Sequence, residues 1–256
     1  MGKCCSKDFT EEEKTLSIDM ILENGNYEEI LREEINKNKF IIQLKYNQYN
    51  TDKAIVPDIK IDIIHVDIIN STMHASKQYI DEGNIFPFIY NTVIQTSGVG
   101  KDNMKYVGAI NGNLYTSTGI PLKYIKNELN DEKIIVKITA LSIIQQLNKL
   151  VRNTFFLKHP NDILCKDKFK MGGIIAETYK DFYIIGFEIN IVEKPEQDQI
   201  RKEGLLPCYV KEHLPEGVEV PNALDLSIEI TKNILYNLNL TREQIDKLFE
   251  EYLIKN

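Results

Sequence analysis

Four short segments of this 256-residue chain place small or polar residues at the ends of apolar runs, where a ligand can come close to the backbone. In Gln95-Thr96-Ser97-Gly98-Val99-Gly100-Lys101 two glycines expose successive N–H groups and Lys101 adds positive charge, a pairing that suits a phosphate or a carboxylate. The spacing is not that of a P-loop, and an ordinary turn is the alternative. In Lys158-His159-Pro160-Asn161-Asp162-Ile163-Leu164, Asn161 and Asp162 offer hydrogen bonds or a carboxylate to a magnesium-bound nucleotide or an incoming amine, against the alternative of an Asn-Asp turn between strands. Lys170-Met171-Gly172-Gly173-Ile174-Ile175 combines a reaching ammonium with paired glycines that admit a ligand beside a strand or form a bulge. Gly186-Phe187-Glu188-Ile189-Asn190 ends an apolar strand on an amide able to read a base edge or simply to cap the strand.

The elements that must position these groups follow from periodicity. Ile59, Ile61 and Ile63 alternate with Lys60 and Asp62, the pattern of a half-buried strand. Ser71 or Thr72 can cap a helix ending near Gly83, and Phe88 to Thr96 reads as a second strand. Gly112 to Ile120 is another strand, and Ile134 to Val151 has the spacing of a largely buried helix. Ile174 to Ala176 and Phe182 to Asn190 flank Thr178-Tyr179-Lys180-Asp181 and predict an antiparallel hairpin. Glu193 to Pro221, rich in charge and proline, is expected to wind across the surface before helices at Leu224 to Leu238 and Arg242 to Leu253. Strands interspersed with helices and joined by hairpins predict an α+β fold, a mixed and largely antiparallel sheet backed by helices. Residues 1–53 read as a helical extension, with helices between Thr10 and Ile35, and 54–256 as the main domain.

Composition narrows the function classes. No apolar run approaches the roughly 18 residues of a spanning helix. A net charge of −7 and the lack of a basic recognition helix argue against nucleic acid as a partner. The four cysteines, Cys4, Cys5, Cys165 and Cys208, have the spacing of neither a zinc site nor a disulfide framework, so no metal ligand set is expected and reduced thiols in the cytoplasm are the default. Met1-Gly2-Lys3-Cys4-Cys5-Ser6 fits N-myristoylation at Gly2, with Cys4 and Cys5 open to palmitoylation; two acyl chains would anchor the N-terminus to a membrane surface. A frayed polar terminus is the alternative.

In their order, the segments from Ile63 to Ile191 resemble the biotin protein ligase family. Ser71-Thr72-Met73 stands for the family's Ser-Thr-Asn, Gln95 to Lys101 for Q-T-x-G-R-G-R, and Gly112-Asn113-Leu114-Tyr115 for G-N-L-Y. Lys158 to Leu164 matches K-W-P-N-D-I-L except at His159; Lys170 to Ile174 matches K-x-G-G-I, and Gly186 to Asn190 matches G-I-G-I-N. The resemblance implies a class II synthetase-like catalytic domain, here without the small C-terminal β-barrel that many members append.

It also implies roles. Ser71, Thr72 and Gln95 would hydrogen-bond the ureido ring of biotin, with Gly98, Gly100, Gly172 and Gly173 admitting the ligand. Lys170 would neutralise the biotin carboxylate and then the adenylate phosphate. Lys101, Tyr106, Asn113, Asn161 and Asn190 would meet ATP, with Tyr106 covering adenine where the family usually has Trp, and Asp162 would sit where ATP meets the acceptor lysine. The implied reaction joins biotin and ATP, with magnesium, into biotinyl-5′-AMP and passes biotin to a lysine on the biotin carboxyl carrier domain of a carboxylase such as acetyl-CoA carboxylase. The chain departs from the family at Met73, His159 and Glu188, and Val99, Lys101 and Met104 stand where arginines would. Two other readings therefore stay open: a non-catalytic relative binding a ligand or partner at a membrane surface, and a lipoate or octanoate ligase on the same fold.

Overall fold

A computed structural model describes residues 39–44, 59–98, 112–193 and 205–254. The segments at Gly2, Cys4 and Cys5, at Gly100, Lys101 and Tyr106, and the helices expected between Thr10 and Ile35 lie outside the described residues.

The strands are β1 (Lys39–Leu44), β2 (Ile59–Ile69), β3 (Phe88–Gln95), β4 (Leu114–Pro121), β5 (Phe155–Lys158), β6 (Asp162–Cys165), β7 (Lys170–Tyr179) and β8 (Phe182–Ile189). They form an eight-stranded sheet in the order β1-β2-β3-β4-β8-β7-β6-β5. Only β2 and β3 pair in parallel; the other neighbours are antiparallel, as the sequence predicts. The parallel pair requires a crossover, supplied by α1 (Thr72–Asp81). β1, within the segment read as the N-terminal extension, is the edge strand beside β2.

The helices α2 (Glu132–Leu150), α3 (Ala223–Asn237) and α4 (Arg242–Tyr252) pack on one face of the sheet, and α1 packs on the other. This arrangement overturns one expectation: β2 is buried on both sides rather than half-buried. Ile59, Ile61 and Ile63 face the helical layer, while Ile64 and Val66 face α1. Asp62, read from the alternation as solvent-facing, is buried, and its Oδ2 accepts a hydrogen bond from Tyr79 Oη at 2.9 Å. A lone alternating pattern cannot reveal that a helix returns over the polar side.

Burial of α2 is nearly all round, because the sheet lies on one side and α3 and α4 on the other. Its N-terminus is fixed by Asp131, whose carboxylate accepts from Lys133 N at 2.8 Å. The buried hydroxyls of Thr139 and Ser142 donate to the carbonyls of Ile135 and Ile138, so the helix carries polar groups through the core without leaving them unsatisfied. Asn222 caps α3, and Thr241 with Gln244 forms a capping box at α4.

The β7–β8 hairpin is longer than the apolar run alone predicts, since Gly172 and Gly173 belong to the strand and pair with Ile189 and Glu188. Its turn is Lys180-Asp181, with Lys180 at a φ of 49°. The segment expected to wind across the surface does so only in part. Residues 205–213 form a strap whose Cys208 and Val210 are fully buried, because their backbone completes hydrogen bonds to β7 and to the residues after β8. Burial and a hydrogen bond with Cys165 push the Cys208 thiol up, which keeps it neutral.

Two strands approach closely over Gly119 of β4. A Cβ there would lie 2.1 Å from the ring of Phe88, which is itself fully buried and stacked edge-on against Tyr79 with centroids 5.0 Å apart. The ring has no room to yield, so Gly119→Ala should destabilise the protein by about 1–3 kcal/mol, a fall of several degrees in Tm by calorimetry. An unchanged Tm would show that Phe88 can step aside.

Candidate active site

The parallel ladder of β2 and β3 continues past the strands: Thr96 N and Ser97 N donate to the carbonyls of Ile69 and Asn70. This sets the tip of β3 beside the start of α1. Ser71 occupies the N-cap position, yet its hydroxyl makes no capping hydrogen bond, contrary to the expectation from sequence. Gln95 takes that role across the strands: its Oε1 accepts from Thr72 N at 2.9 Å and from Thr72 Oγ1 at 3.1 Å. Thr72 Oγ1 in turn accepts from Ser117 Oγ of β4 at 2.7 Å. The Ser71 hydroxyl oxygen is buried without a hydrogen-bond partner among the described residues. Such an orphan costs about 1–3 kcal/mol, and a ligand that met it would recover that energy.

A second group lies at the junction of β6, β7 and β8. Lys170 Nζ pairs with Asp162 Oδ1 at 2.7 Å, the side chains being 39% and 19% exposed. The backbone of Lys170 is held on both sides by the strap: its N–H donates to Leu206 O at 2.7 Å, and its carbonyl accepts from Cys208 N at 2.9 Å. The two glycines that follow do different things. A Cβ on Gly172 would sit 2.1 Å from the Glu188 carbonyl oxygen, so this glycine permits close strand packing. A Cβ on Gly173 would sit 3.5 Å from Lys170 Nζ and 3.6 Å from Glu188 Oε1, so this one opens a space between an ammonium and a carboxylate. Sequence reading took Glu188 for a departure and not for a member of the site; only the register of β7 on β8 reveals its position.

The three asparagines are committed to backbone. Asn161 Nδ2 donates to Ile174 O at 2.8 Å. Asn113 Oδ1 accepts from Ile191 N at 2.8 Å, and its Nδ2 donates to Glu193 O at 3.0 Å. Asn190 Nδ2 donates to Cys208 O at 3.1 Å, while its Oδ1 meets Asn113 Nδ2 at 3.5 Å. Asn113 and Asn190 therefore shape the exit of β8 and fasten the strap. Gly98 is buried at the end of the β3 loop.

The groups share a face. Cross-strand pairing aligns Asp162, Gly173, Glu188, Tyr115 and Thr92 in one row across β6, β7, β8, β4 and β3. The adjacent row on the α1 side holds Ile175, Gly186, Ser117 and Tyr90. Thr72 rests on Ser117 of this row, and Met73 packs over Gly186, where a Cβ would lie 2.8 Å from the sulfur. Lys170 opens β7 and the Ser117 that meets Thr72 lies on β4, so a single strand, β8, separates the two strands that carry these groups. The face thus offers a hydrogen-bonding end and a cationic end to one elongated acid.

No protein-family model matches the sequence. Solved structures do resemble the fold. A biotin protein ligase from Leishmania major in complex with biotinyl-5-AMP is similar with a TM-score of 0.67 and 22% identity, covering 75% of this chain and 81% of that one. The biotin protein ligase from Aquifex aeolicus in complex with biotin and ATP gives 0.60 and 23%, covering 75% and 78%. A biotin acetyl coenzyme A carboxylase synthetase from Helicobacter pylori gives 0.55 and 19%, covering 74% and 80%. The sheet order and the helices around it give this chain the fold of the biotin protein ligase catalytic domain.

Proposed function

We propose that the chain is a biotin protein ligase, which activates biotin with ATP as biotinyl-5′-AMP and transfers it to a lysine of a carboxyl carrier domain. One observation carries this reading: an orphaned buried hydroxyl beside the Thr72-Gln95 pair lies on the same sheet face as a lysine ammonium. Biotin has a ureido ring at one end and a carboxylate at the other. Ser71, Thr72 and Gln95 would hydrogen-bond the ring, and Lys170 would receive the acid.

The reaction needs no protein nucleophile. The biotin carboxylate attacks the α-phosphate of ATP, pyrophosphate leaves with the electron pair of the broken P–O bond, and the mixed anhydride is then opened by a neutral lysine amine, releasing AMP and one proton. Two anions must approach each other in the first step, so Lys170 lowers the barrier by offsetting their charge. Asp162, which now pairs with Lys170, would take the proton of the incoming amine. Gly98 and Gly100 would let the β3 loop close over the adenylate, with Lys101 and Tyr106 against phosphate and adenine, and with Asn113, Asn161 and Asn190 bordering the nucleotide. The carboxylates of Asp162 and Glu188 are the oxygen donors that fit a magnesium ion, whose charge would further offset that of the triphosphate.

The orphaned Ser71 hydroxyl favours biotin over lipoate, because a ureido oxygen or N–H can satisfy it and an apolar dithiolane cannot. No helix among the described residues is long and apolar enough to cross a membrane, so membrane attachment would rest on acylation of Gly2, Cys4 and Cys5.

Purified protein should catalyse biotin-dependent exchange of pyrophosphate into ATP, and lipoate should not replace biotin; exchange driven by lipoate alone would reverse the assignment, and none with either would remove it. Lys170→Ala should slow adenylation by roughly one to two orders of magnitude, the loss of a charge-assisted hydrogen bond. The same change should alter stability by only about 0–1 kcal/mol, since its ion pair is partly exposed. A wild-type rate in the folded variant would refute the role given to Lys170. In cells, the wild-type chain should fractionate with membranes and Gly2→Ala with the soluble pool, whereas equal partitioning of both would exclude anchoring by a myristoyl group.

A further inference from the structure

Two cysteines with no place in the reaction meet at the back of the strap. Cys165 ends β6, Cys208 lies in the strap, and His213 ends the short 3-10 turn Val210–His213. One ligand atom from each, two sulfurs and an imidazole nitrogen, lie within 4.8 Å of one another. Both cysteines are free and fully buried, and the His213 side chain is 8% exposed. Its Nε2 is buried and makes no hydrogen bond among the described residues. The nearest carboxylate oxygen, Glu212 Oε1, is 3.5 Å away and already accepts from Tyr209 N at 3.2 Å. Cys208 Sγ donates to Phe169 O at 3.3 Å, a weak bond only because a thiol is a weak donor.

A buried imidazole nitrogen without a hydrogen bond is costly, and a cation held by the imidazole and the two sulfurs would remove part of that cost. We infer that Cys165, Cys208 and His213 form a binding site for a thiophilic divalent cation of the zinc class. Two sulfurs and one imidazole nitrogen select such an ion over magnesium or calcium, which take oxygen donors. The fourth ligand of a tetrahedral shell would be a water or the Glu212 carboxylate, whose Oε1 lies 3.5 Å from His213 Nε2. Binding exchanges one proton from each thiol for the cation, with His213 neutral, so that two S–H bonds break as two metal–sulfur bonds form and the protons pass to solvent.

Such an ion would act as a clasp on the strap. Cys208 donates its N–H to the Lys170 carbonyl and accepts from Asn190 Nδ2, so joining Cys208 to Cys165 of β6 fixes the backbone that carries Lys170. The inference stands on the sulfur and imidazole geometry and holds whatever reaction the opposite face performs.

The test uses the full chain, reduced with a phosphine, stripped with a chelator and then titrated with cobalt(II) and with zinc. Wild-type protein should take up one equivalent of cobalt with thiolate-to-metal charge-transfer absorption, and zinc should displace it and raise Tm. Cys4→Ser/Cys5→Ser should behave as wild type, which separates the buried pair from the N-terminal thiols. Cys165→Ser/Cys208→Ser should lose the absorption, and His213→Gln, which keeps both sulfurs, should weaken zinc binding by at least roughly tenfold. Folded wild-type protein with all thiols titratable and no charge-transfer band overturns the proposal. Binding that survives in Cys165→Ser/Cys208→Ser, or that vanishes in Cys4→Ser/Cys5→Ser, overturns it equally.

Discussion

The backbone clamp on Lys170 is the constraint on which the rest of the candidate site depends. A long, flexible ammonium loses much of its value as an electrostatic catalyst unless its root is fixed. Here the N–H and carbonyl of Lys170 are both tied to the strap, through Leu206 and Cys208, so the peptide cannot rotate away from β6. The strap is fixed in turn by Asn190 at the end of β8, and Asn190 meets Asn113 before β4. Three separated stretches of chain thus converge on one residue. Buried amides committed to backbone are well suited to such a task, since any slip would leave donors unsatisfied at a cost of about 1–3 kcal/mol each.

Burial of the sheet on both faces explains why the polar groups gather where they do. The helical layer covers one face with a continuous apolar core, while α1 covers only part of the other. Where α1 begins, the apolar cover gives way to Ser71, Thr72, Gln95 and Ser117, and the row beyond holds Glu188, Gly173 and Asp162. The edge of the helix is therefore the edge of the core. Residues just past it can be polar at little cost to stability, which leaves them available for ligand recognition.

Much of this organisation was legible in the sequence because it rests on local signals. The 3.6-residue spacing of Ile134 to Leu147 and the turn at Lys180-Asp181 each act within a few residues, and each appears where the pattern put it. The strand at Phe88 and the glycine pair after Lys170 were readable for the same reason. What was hidden depends on distant partners. Nothing near Ser71 announces that Gln95, across the sheet, will cap the helix in its place. The buried strap was masked by prolines and charges, since its backbone bonds go to Lys170 and Asn190 and not to itself. Cys165, Cys208 and His213 meet only after β6 and the strap are docked, and no spacing rule for contiguous metal motifs anticipates that.

The charge arrangement around Lys170 has an energetic consequence of its own. The ammonium is already paired with Asp162, and a carboxylate at Glu188 lies across Gly173, so an arriving acid must compete with two resident anions. Were the pair fully buried, breaking it would cost about 3–5 kcal/mol and would oppose ligand entry. At the exposures seen here the pair is worth about 0–1 kcal/mol, so the exchange of one anion for another is close to neutral. An anion that took the place of Asp162 at Lys170 would leave that carboxylate without its present partner. A family pattern with a small residue at position 188 would carry one negative charge fewer beside the lysine. The extra carboxylate raises the electrostatic barrier to a second anion unless a cation accompanies it, so charge neutralisation, more than shape, would limit the approach of a polyanion to this face.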